Sequence, residues 1–95
     1  MRPGLSFATA ARQDLRRIGA WFQQPGAGDV ARRRLARIAA TIETLVDYPN
    51  RGRSLGTGPF RIATTERHRI VYAATHSAAG NTVVILRILG PGQNY

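Results

Sequence analysis

Four arginines lie in or beside segments of the chain that otherwise have the composition of β-strands. These residues are Arg61, Arg67, Arg69 and Arg87. A guanidinium stays charged at physiological pH, and its planar fork of N–H donors matches a carboxylate or a phosphate. Among strand residues that favour burial, such a side chain either extends its charged end to solvent or binds an anion. The four arginines are therefore the candidate functional residues of the sequence.

Groups that could move a proton near neutral pH are few. His68 and His76 are the only two histidines, and cysteine is absent. His68 precedes Arg69, so within a strand their side chains point to opposite faces, and we expect His68 to be structural. His76 is expected to be exposed in a turn.

The five acids are scattered along the chain and do not form the pair that acid–base catalysis by carboxylates requires. We expect Asp14 on a helix surface or in contact with the hairpin, and Glu66 paired with a nearby arginine. No set of residues has the spacing of metal ligands, so we predict neither a metal site nor a cofactor.

Two β-branched and aromatic segments predict an antiparallel hairpin. They span residues 66–74 and 82–89, on either side of a short polar turn containing Gly80-Asn81. The second segment is apolar at nearly every position, which is typical of a central strand covered on both faces. Residues 60–64 predict a preceding strand, and Leu5-Ser6-Phe7 predicts a first strand.

Between these strands, two stretches carry apolar residues at helical spacing. The first has Ala11, Leu15, Ile18 and Phe22 after a capping Thr9, and the second has Ala31, Leu35, Ile38, Ile42 and Leu45 after a capping Asp29. Trp21, Phe22 and Tyr72 are expected to be core aromatics. The predicted fold class is α+β, with an N-terminal strand, an antiparallel two-helix hairpin and then a three-stranded antiparallel sheet, all in one domain of residues 1–95.

Composition limits the class of protein further. The chain has 95 residues and a formal net charge of +9, and every one of its 14 cationic residues is arginine. Such an excess favours an acidic partner, either nucleic acid or an acidic protein. No apolar run approaches the ~20 residues that a membrane span needs, and the N-terminus lacks the apolar region of a signal peptide. We therefore expect a cytoplasmic protein with no membrane partner.

Several of these segments together resemble the RelE/ParE superfamily of bacterial type II toxins over nearly the whole chain. The matching residues are Ala11, Asp14, Leu15 and Ile18 in the first helix, Ile42, Leu45, Tyr48, Pro49 and Gly52 around the end of the second, then Phe60-Arg61, the segment 68–72 (HRIVY) and the segment 84–89 (VILRIL). The resemblance implies two helices against a four-stranded antiparallel sheet. It also implies a toxin that a cognate antitoxin wraps and neutralises, in a toxin–antitoxin hetero-oligomer.

The superfamily contains ribosome-dependent mRNA endoribonucleases, which resemble RelE, and inhibitors of DNA gyrase, which resemble ParE. RNA cleavage needs a base, an acid and cations around the reacting phosphate. By resemblance, an endoribonuclease would use Arg69 with Arg61 and a group near the C-terminus, where Tyr95 is the one candidate. A phenol with a pKa near ~10 is a poor base at neutral pH. We therefore expect a ParE-like protein with no catalytic residues that acts on gyrase by protein–protein contact.

Two alternatives remain open at the level of sequence. One is the endoribonuclease, whose partners would be the ribosome and mRNA. The other is a small basic module that binds nucleic acid through Arg32, Arg33, Arg34 and Arg37. In the ParE-like interpretation, Arg61, Arg67, Arg69 and Arg87 form the functional or antitoxin-binding surface. Whether Arg69 and Arg87 share a face depends on the register of the hairpin.

Overall fold

A sheet of five strands with two helices against one face forms the structure, a computed structural model that describes residues 2–93. In chain order the elements are β1 (Leu5–Phe7), α1 (Thr9–Phe22), α2 (Gly28–Thr44), β2 (Arg53–Ser54), β3 (Phe60–Thr65), β4 (His68–Ser77) and β5 (Gly80–Leu89). The order of strands across the sheet is β1-β5-β4-β3-β2. The α+β class and the helical hairpin are confirmed.

The prediction of a three-stranded antiparallel sheet after the helices is wrong, because the sheet has five strands and is mixed. β1 pairs in parallel with β5, with Leu5 opposite Val83 and Phe7 opposite Ile85, whereas the other neighbouring pairs are antiparallel. The three residues of β1 are too few to determine which strand they pair with. The parallel direction follows from the helical hairpin that carries the chain back across the sheet. β2 has only two residues and lies in a glycine-rich segment, so no alternation of apolar and polar residues predicts it.

The β4–β5 hairpin forms as predicted, but its register shifts in the middle. Val71 is opposite Arg87 and Tyr72 is opposite Ile85, which leaves Leu86 as an extra residue in β5. This bulge changes which side chains of β5 face the helices. Before the bulge, Arg87 lies opposite Val71, two residues from Arg69, so Arg69 and Arg87 align with the same side of the sheet.

The main core lies between the helices and the sheet. Its buried members include Ile38, Ile42 and Leu45 from the helical layer and Ile70, Tyr72, Val83, Ile85 and Ile88 from the sheet. A smaller cluster of Ile62, Val71 and Leu89, with Leu55 and Leu86 packed against it, covers the opposite face. β5 contributes to both clusters, which explains its continuous apolar sequence.

α1 begins one position earlier, and α2 two positions earlier, than the expected caps Thr9 and Asp29 imply. Thr9 and Gly28 are the first helical residues, Ala8 and Ala27 occupy the N-cap positions, and neither cap makes a side-chain hydrogen bond. Asp29 instead lies in the first turn of α2 and pairs with Arg32. Within residues 2–93, neither helix combines the length and the apolar character that crossing a membrane requires.

Buried hydrogen bonds to Tyr72 account for Pro49 and Gly52 of the sequence motif, whereas Tyr48 is exposed. The Tyr72 hydroxyl donates to the Pro49 carbonyl (2.6 Å) and accepts from the Gly52 N–H (2.9 Å). A Cβ at residue 52 would lie 2.7 Å from both the Ile62 carbonyl oxygen and the Tyr72 hydroxyl, so only glycine fits. The motif therefore fixes the loop after α2 against the sheet.

Candidate functional site

A groove of about 550 Å³ opens at one end of the molecule, where the helices, the β3–β4 turn and the C-terminal segment meet. We call it the arginine–aromatic groove. It is lined by Arg17, Ile18, Trp21, Phe22, Arg34, Glu66, Arg67, His68, Gly90, Pro91 and Gln93. Of the four arginines that the sequence singled out, Arg67 is the one that lines this groove.

The β3–β4 turn holds two side chains in an unusual backbone conformation. Glu66 and Arg67 have φ angles of 49° and 63°, and within residues 2–93 they are the only non-glycine residues with positive φ. This pattern matches a type I′ hairpin turn, in which Asn and Gly are the usual central residues. A left-handed conformation costs a residue with a Cβ roughly 1 kcal/mol or more. The turn thus holds two charged side chains where glycine would be less strained.

Glu66 pairs with arginines of the second helix, whereas the sequence predicts only a nearby arginine as its partner. Its carboxylate lies 2.9 Å from Arg37 Nη1 and 3.8 Å from Arg34 Nε. All three side chains are near solvent, where ion pairs contribute little individually. Together they tie the turn to α2 and leave Arg67 projecting beside them, exposed to solvent.

His68 forms part of the floor of the groove. Its Nδ1 lies 2.8 Å from the Glu66 carbonyl oxygen, and its ring meets the Phe22 ring edge to face at 5.9 Å. Because a carbonyl can only accept, Nδ1 carries the proton in the neutral ring. The residue is buried, in keeping with the expected structural role.

Arg69 binds the chain's own C-terminal segment. Its guanidinium donates to the Gln93 carbonyl oxygen. The Gln93 side-chain oxygen accepts from the Gly90 N–H (2.6 Å) and from Arg17 Nη2 (3.3 Å). Two arginines from different elements therefore hold residues 90–93 as one wall of the groove.

Arg87 is hydrogen-bonded to the buried carboxylate of Asp14. Asp14, only 2% exposed, accepts through Oδ2 from Arg87 Nε (2.8 Å) and from the Ile88 N–H (2.8 Å). β1 ends its pairing at Ile85, so the carboxylate occupies the free edge of β5 beyond that point. Of the two positions expected for Asp14, the helix surface is wrong, because α1 turns it toward the sheet, whereas its bonds to Arg87 and Ile88 are a contact with the hairpin strand β5.

The surroundings of Asp14 also set its ionisation. Burial raises the pKa of the carboxyl, but the hydrogen bonds from Arg87 and the Ile88 N–H, with the charges of Arg87 and Arg17, outweigh it. The pKa of Asp14 is consequently below its ordinary value. The same pairing raises the pKa of Arg87 above its already high ordinary value.

Arg61 is separated from Arg69 by the thickness of the sheet. It pairs with Tyr72 across β3 and β4, whereas Arg69 lies three positions from Tyr72 along β4. Since alternate residues face opposite sides, Arg61 and Arg69 lie on opposite faces. Arg61 Nη1 donates to the Gly52 carbonyl oxygen (2.6 Å), beside the Tyr72 hydroxyl.

The structure thus gathers Arg67 and Arg69 at one end and leaves Arg61 and Arg87 in separate internal contacts. Tyr95 lies outside the described residues. Sequence reasoning missed Trp21, which was expected in the core and is 65% exposed at the rim of the groove. Its place at the margin of the apolar face of α1 was the available signal.

Comparisons with known proteins agree with this geometry. Residues 5–95 match the family model described as the ParE toxin of the type II toxin–antitoxin system parDE. Among solved structures, the chain is similar to one from the chromosomal ParDE toxin–antitoxin system of P. aeruginosa, with a TM-score of 0.69 and 21% sequence identity over 93% of this chain and 95% of that chain. At this identity the likeness shows the fold. No curated protein matches the sequence.

Proposed function

Because the chain belongs to the ParE toxin family of type II toxin–antitoxin systems, we propose that it inhibits DNA gyrase by protein–protein contact. A cognate antitoxin neutralises it in a hetero-oligomer. The chain acts as one domain of residues 1–95, needs no cofactor, and meets gyrase in the cytoplasm. Family membership supplies the target, and the arrangement of the arginines supports the mode of action.

The observation that carries the proposal is how the strand arginines are used. Arg61 and Arg69 lie on opposite faces, and each donates to a backbone carbonyl oxygen. Arg87 is held by Asp14. Cleavage of RNA needs cations and proton-transfer groups that converge on one phosphate. The three arginines instead stabilise a surface, which suits a protein that binds its target.

The contact surface that we propose is the end of the molecule that carries Arg67 and Arg69. Arg67 is exposed, and Arg69 fixes the segment that ends at Gln93. Arg61 and Arg87 contribute indirectly in this proposal, because their internal contacts with the Gly52 carbonyl oxygen and with Asp14 stabilise the fold that carries the surface. The antitoxin contributes carboxylates to the same basic end, which follows from the net charge of +9.

The direct test is a supercoiling assay with purified gyrase. We expect the chain to block supercoiling and to stabilise cleaved DNA complexes, and an equimolar amount of the antitoxin encoded beside it to restore supercoiling. A variant in which Arg53, an exposed residue of β2, becomes alanine should inhibit as the parent does.

A parallel assay separates this activity from the endoribonuclease alternative. Ribosomes carrying a defined message should keep that message intact in the presence of the chain. If the message is cut while supercoiling proceeds normally, gyrase is not the target.

A further inference from the structure

The arginine–aromatic groove contains an exposed indole that the fold does not use. Trp21 is 65% exposed, although it follows the buried face of α1, and it is the only tryptophan of the chain. Phe22 and His68 behind it are fixed by their edge-to-face contact. The indole is therefore an aromatic surface that faces solvent beside this fixed aromatic pair.

Cations from three separate elements surround this surface. Arg17 comes from α1, Arg34 from α2 and Arg67 from the β3–β4 turn, and Glu66 is the only acid that lines the groove. Glu66 is already engaged by Arg37 at 2.9 Å, and its separation from Arg34 is 3.8 Å. Within residues 2–93, Arg67 has no hydrogen-bond or ion-pair partner. Arg17 lies 3.2 Å from Asp14, a carboxylate that it shares with Arg87, and it also donates to Gln93. Two carboxylates are thus shared among four arginines, and Arg67 adds a charge that the described residues do not neutralise.

We propose that the arginine–aromatic groove binds single-stranded nucleic acid, with one unpaired base stacked on Trp21. The phosphates on either side of that base pair with Arg67, Arg34 and Arg17. Stacking on an aromatic side chain accepts any base, and arginine matches phosphate with paired donors, so the site has little sequence preference. This inference is independent of the action on gyrase.

The dimensions of the groove favour a single strand over a duplex. A groove of about 550 Å³ with one exposed indole accepts a single base and its phosphates. In a duplex the base faces are covered by their neighbours, so Trp21 could stack only after a base had been unstacked. The strained Glu66–Arg67 turn fits the same role, because it holds Arg67 beside the groove.

Trp21 provides its own spectroscopic test. We would titrate the purified full-length chain with a labelled dodecamer of thymidylate and record tryptophan emission and the anisotropy of the label. Stacking on the indole should quench the emission at saturation. A strand of the same length whose sugars carry no bases should bind more weakly and leave the emission unchanged.

Two variants test the stacking on Trp21 and the pairing of Arg67 with phosphate separately. Trp21→Leu should weaken binding by about 5- to 150-fold, the range that one stacked base contributes, with an unchanged salt dependence. Arg67→Gln should lower the slope of log K against log salt by about 0.7, the value for one phosphate of a single strand. Arg12→Gln removes an exposed arginine of α1 that does not line the groove, and it should change neither emission nor slope.

Several results would overturn the proposal. They are an unchanged emission at saturating strand, equal affinity for the base-free strand, or an equal effect of Arg12→Gln and Arg67→Gln. Circular dichroism of each variant ensures that a loss of binding is not a loss of fold. A glutamate-rich peptide that quenches Trp21 at lower concentration than the strand does would assign the groove to an acidic protein segment instead.

Discussion

At the scale of single residues, Asp14 joins the first helix to the last strand. Its carboxylate accepts two hydrogen bonds from Arg87 and one from the backbone of Ile88, at a place where β1 no longer pairs with β5 and that edge of β5 is free. A charged group this deeply buried is tolerated because each oxygen has a partner. The sequence held a signal for this contact, since Asp14 lies between Ala11 and Ile18 on the apolar face of α1. Its partner Arg87 is distant in sequence, so the pair itself could not be predicted.

Replacing Asp14 with asparagine should destabilise the chain at neutral pH. The amide oxygen can still accept from the Ile88 N–H, but the amide NH2 cannot accept from Arg87 Nη2, and both Arg87 and Arg17 lose their counter-ion, so the cost combines charge pairing with a lost hydrogen bond. Asp14→Ala should cost about 1–3 kcal/mol more, because it leaves a buried N–H without a partner. Urea denaturation of the parent and both variants at pH 7 measures these differences.

The same variants predict how stability depends on pH. The folded-state pKa of Asp14 is lowered, so its contribution is fully present above the ordinary value of about 3.9 and is lost as pH falls from there through the folded pKa. The parent should therefore lose more stability than Asp14→Asn when the pH is lowered from about 5 to about 2, the range in which the contribution of Asp14 is lost. Asp47, whose pKa is also lowered through Arg2, is present in both chains and cancels. Parallel pH curves for the two chains would contradict this assignment.

At the scale of elements, what could be predicted depended on length and periodicity. α1, α2, β4 and β5 each span ten residues or more and show their buried face in the sequence. β1 and β2 have three and two residues, and their places in the sheet follow from tertiary pairing. The bulge at Leu86 was equally hidden, since a register depends on both strands.

The positive φ angles in the β3–β4 turn give a prediction about stability. Arg67→Gly should stabilise the hairpin by about 0.5–1 kcal/mol, because glycine adopts the positive φ of 63° without a Cβ penalty. Arg67→Ala is the matched control, since it removes the same guanidinium and keeps the strain. Thermal unfolding should rank glycine above the parent and alanine near it. An equal midpoint for both variants would show that the turn stores no strain.

At the scale of the whole molecule, internal contacts divide the basic surface. The arginines that the sequence singled out share a residue type and a setting, yet Arg61 and Arg87 bind groups inside the fold while Arg67 remains exposed. Only three-dimensional proximity distinguishes these roles. For that reason the sequence could identify candidate residues and could not assemble them into a groove.

Arg69→Ala should abolish growth inhibition while the fold survives. Arg69 lies outside the main core, and its contact is with the Gln93 carbonyl, so its loss frees the C-terminal wall of the groove and leaves the core packed. Growth after induction, compared at equal expression with the Arg53→Ala control, measures the effect. Full toxicity from a folded Arg69→Ala chain would show that neither the guanidinium nor the wall matters for inhibition.

Removing Asn94 and Tyr95 tests whether the last two residues of the chain contribute to inhibition. Gln93 is the residue that Arg69 and Arg17 hold, so a chain that ends there keeps the wall of the groove, and we expect gyrase inhibition to change little. Removing Gln93 as well should reproduce the defect of Arg69→Ala, because both changes eliminate the contact between the Arg69 guanidinium and the Gln93 carbonyl oxygen. Full inhibition after the longer deletion would show that the contact with Gln93 is not how Arg69 acts, and severe loss from the shorter deletion would implicate Asn94 or Tyr95.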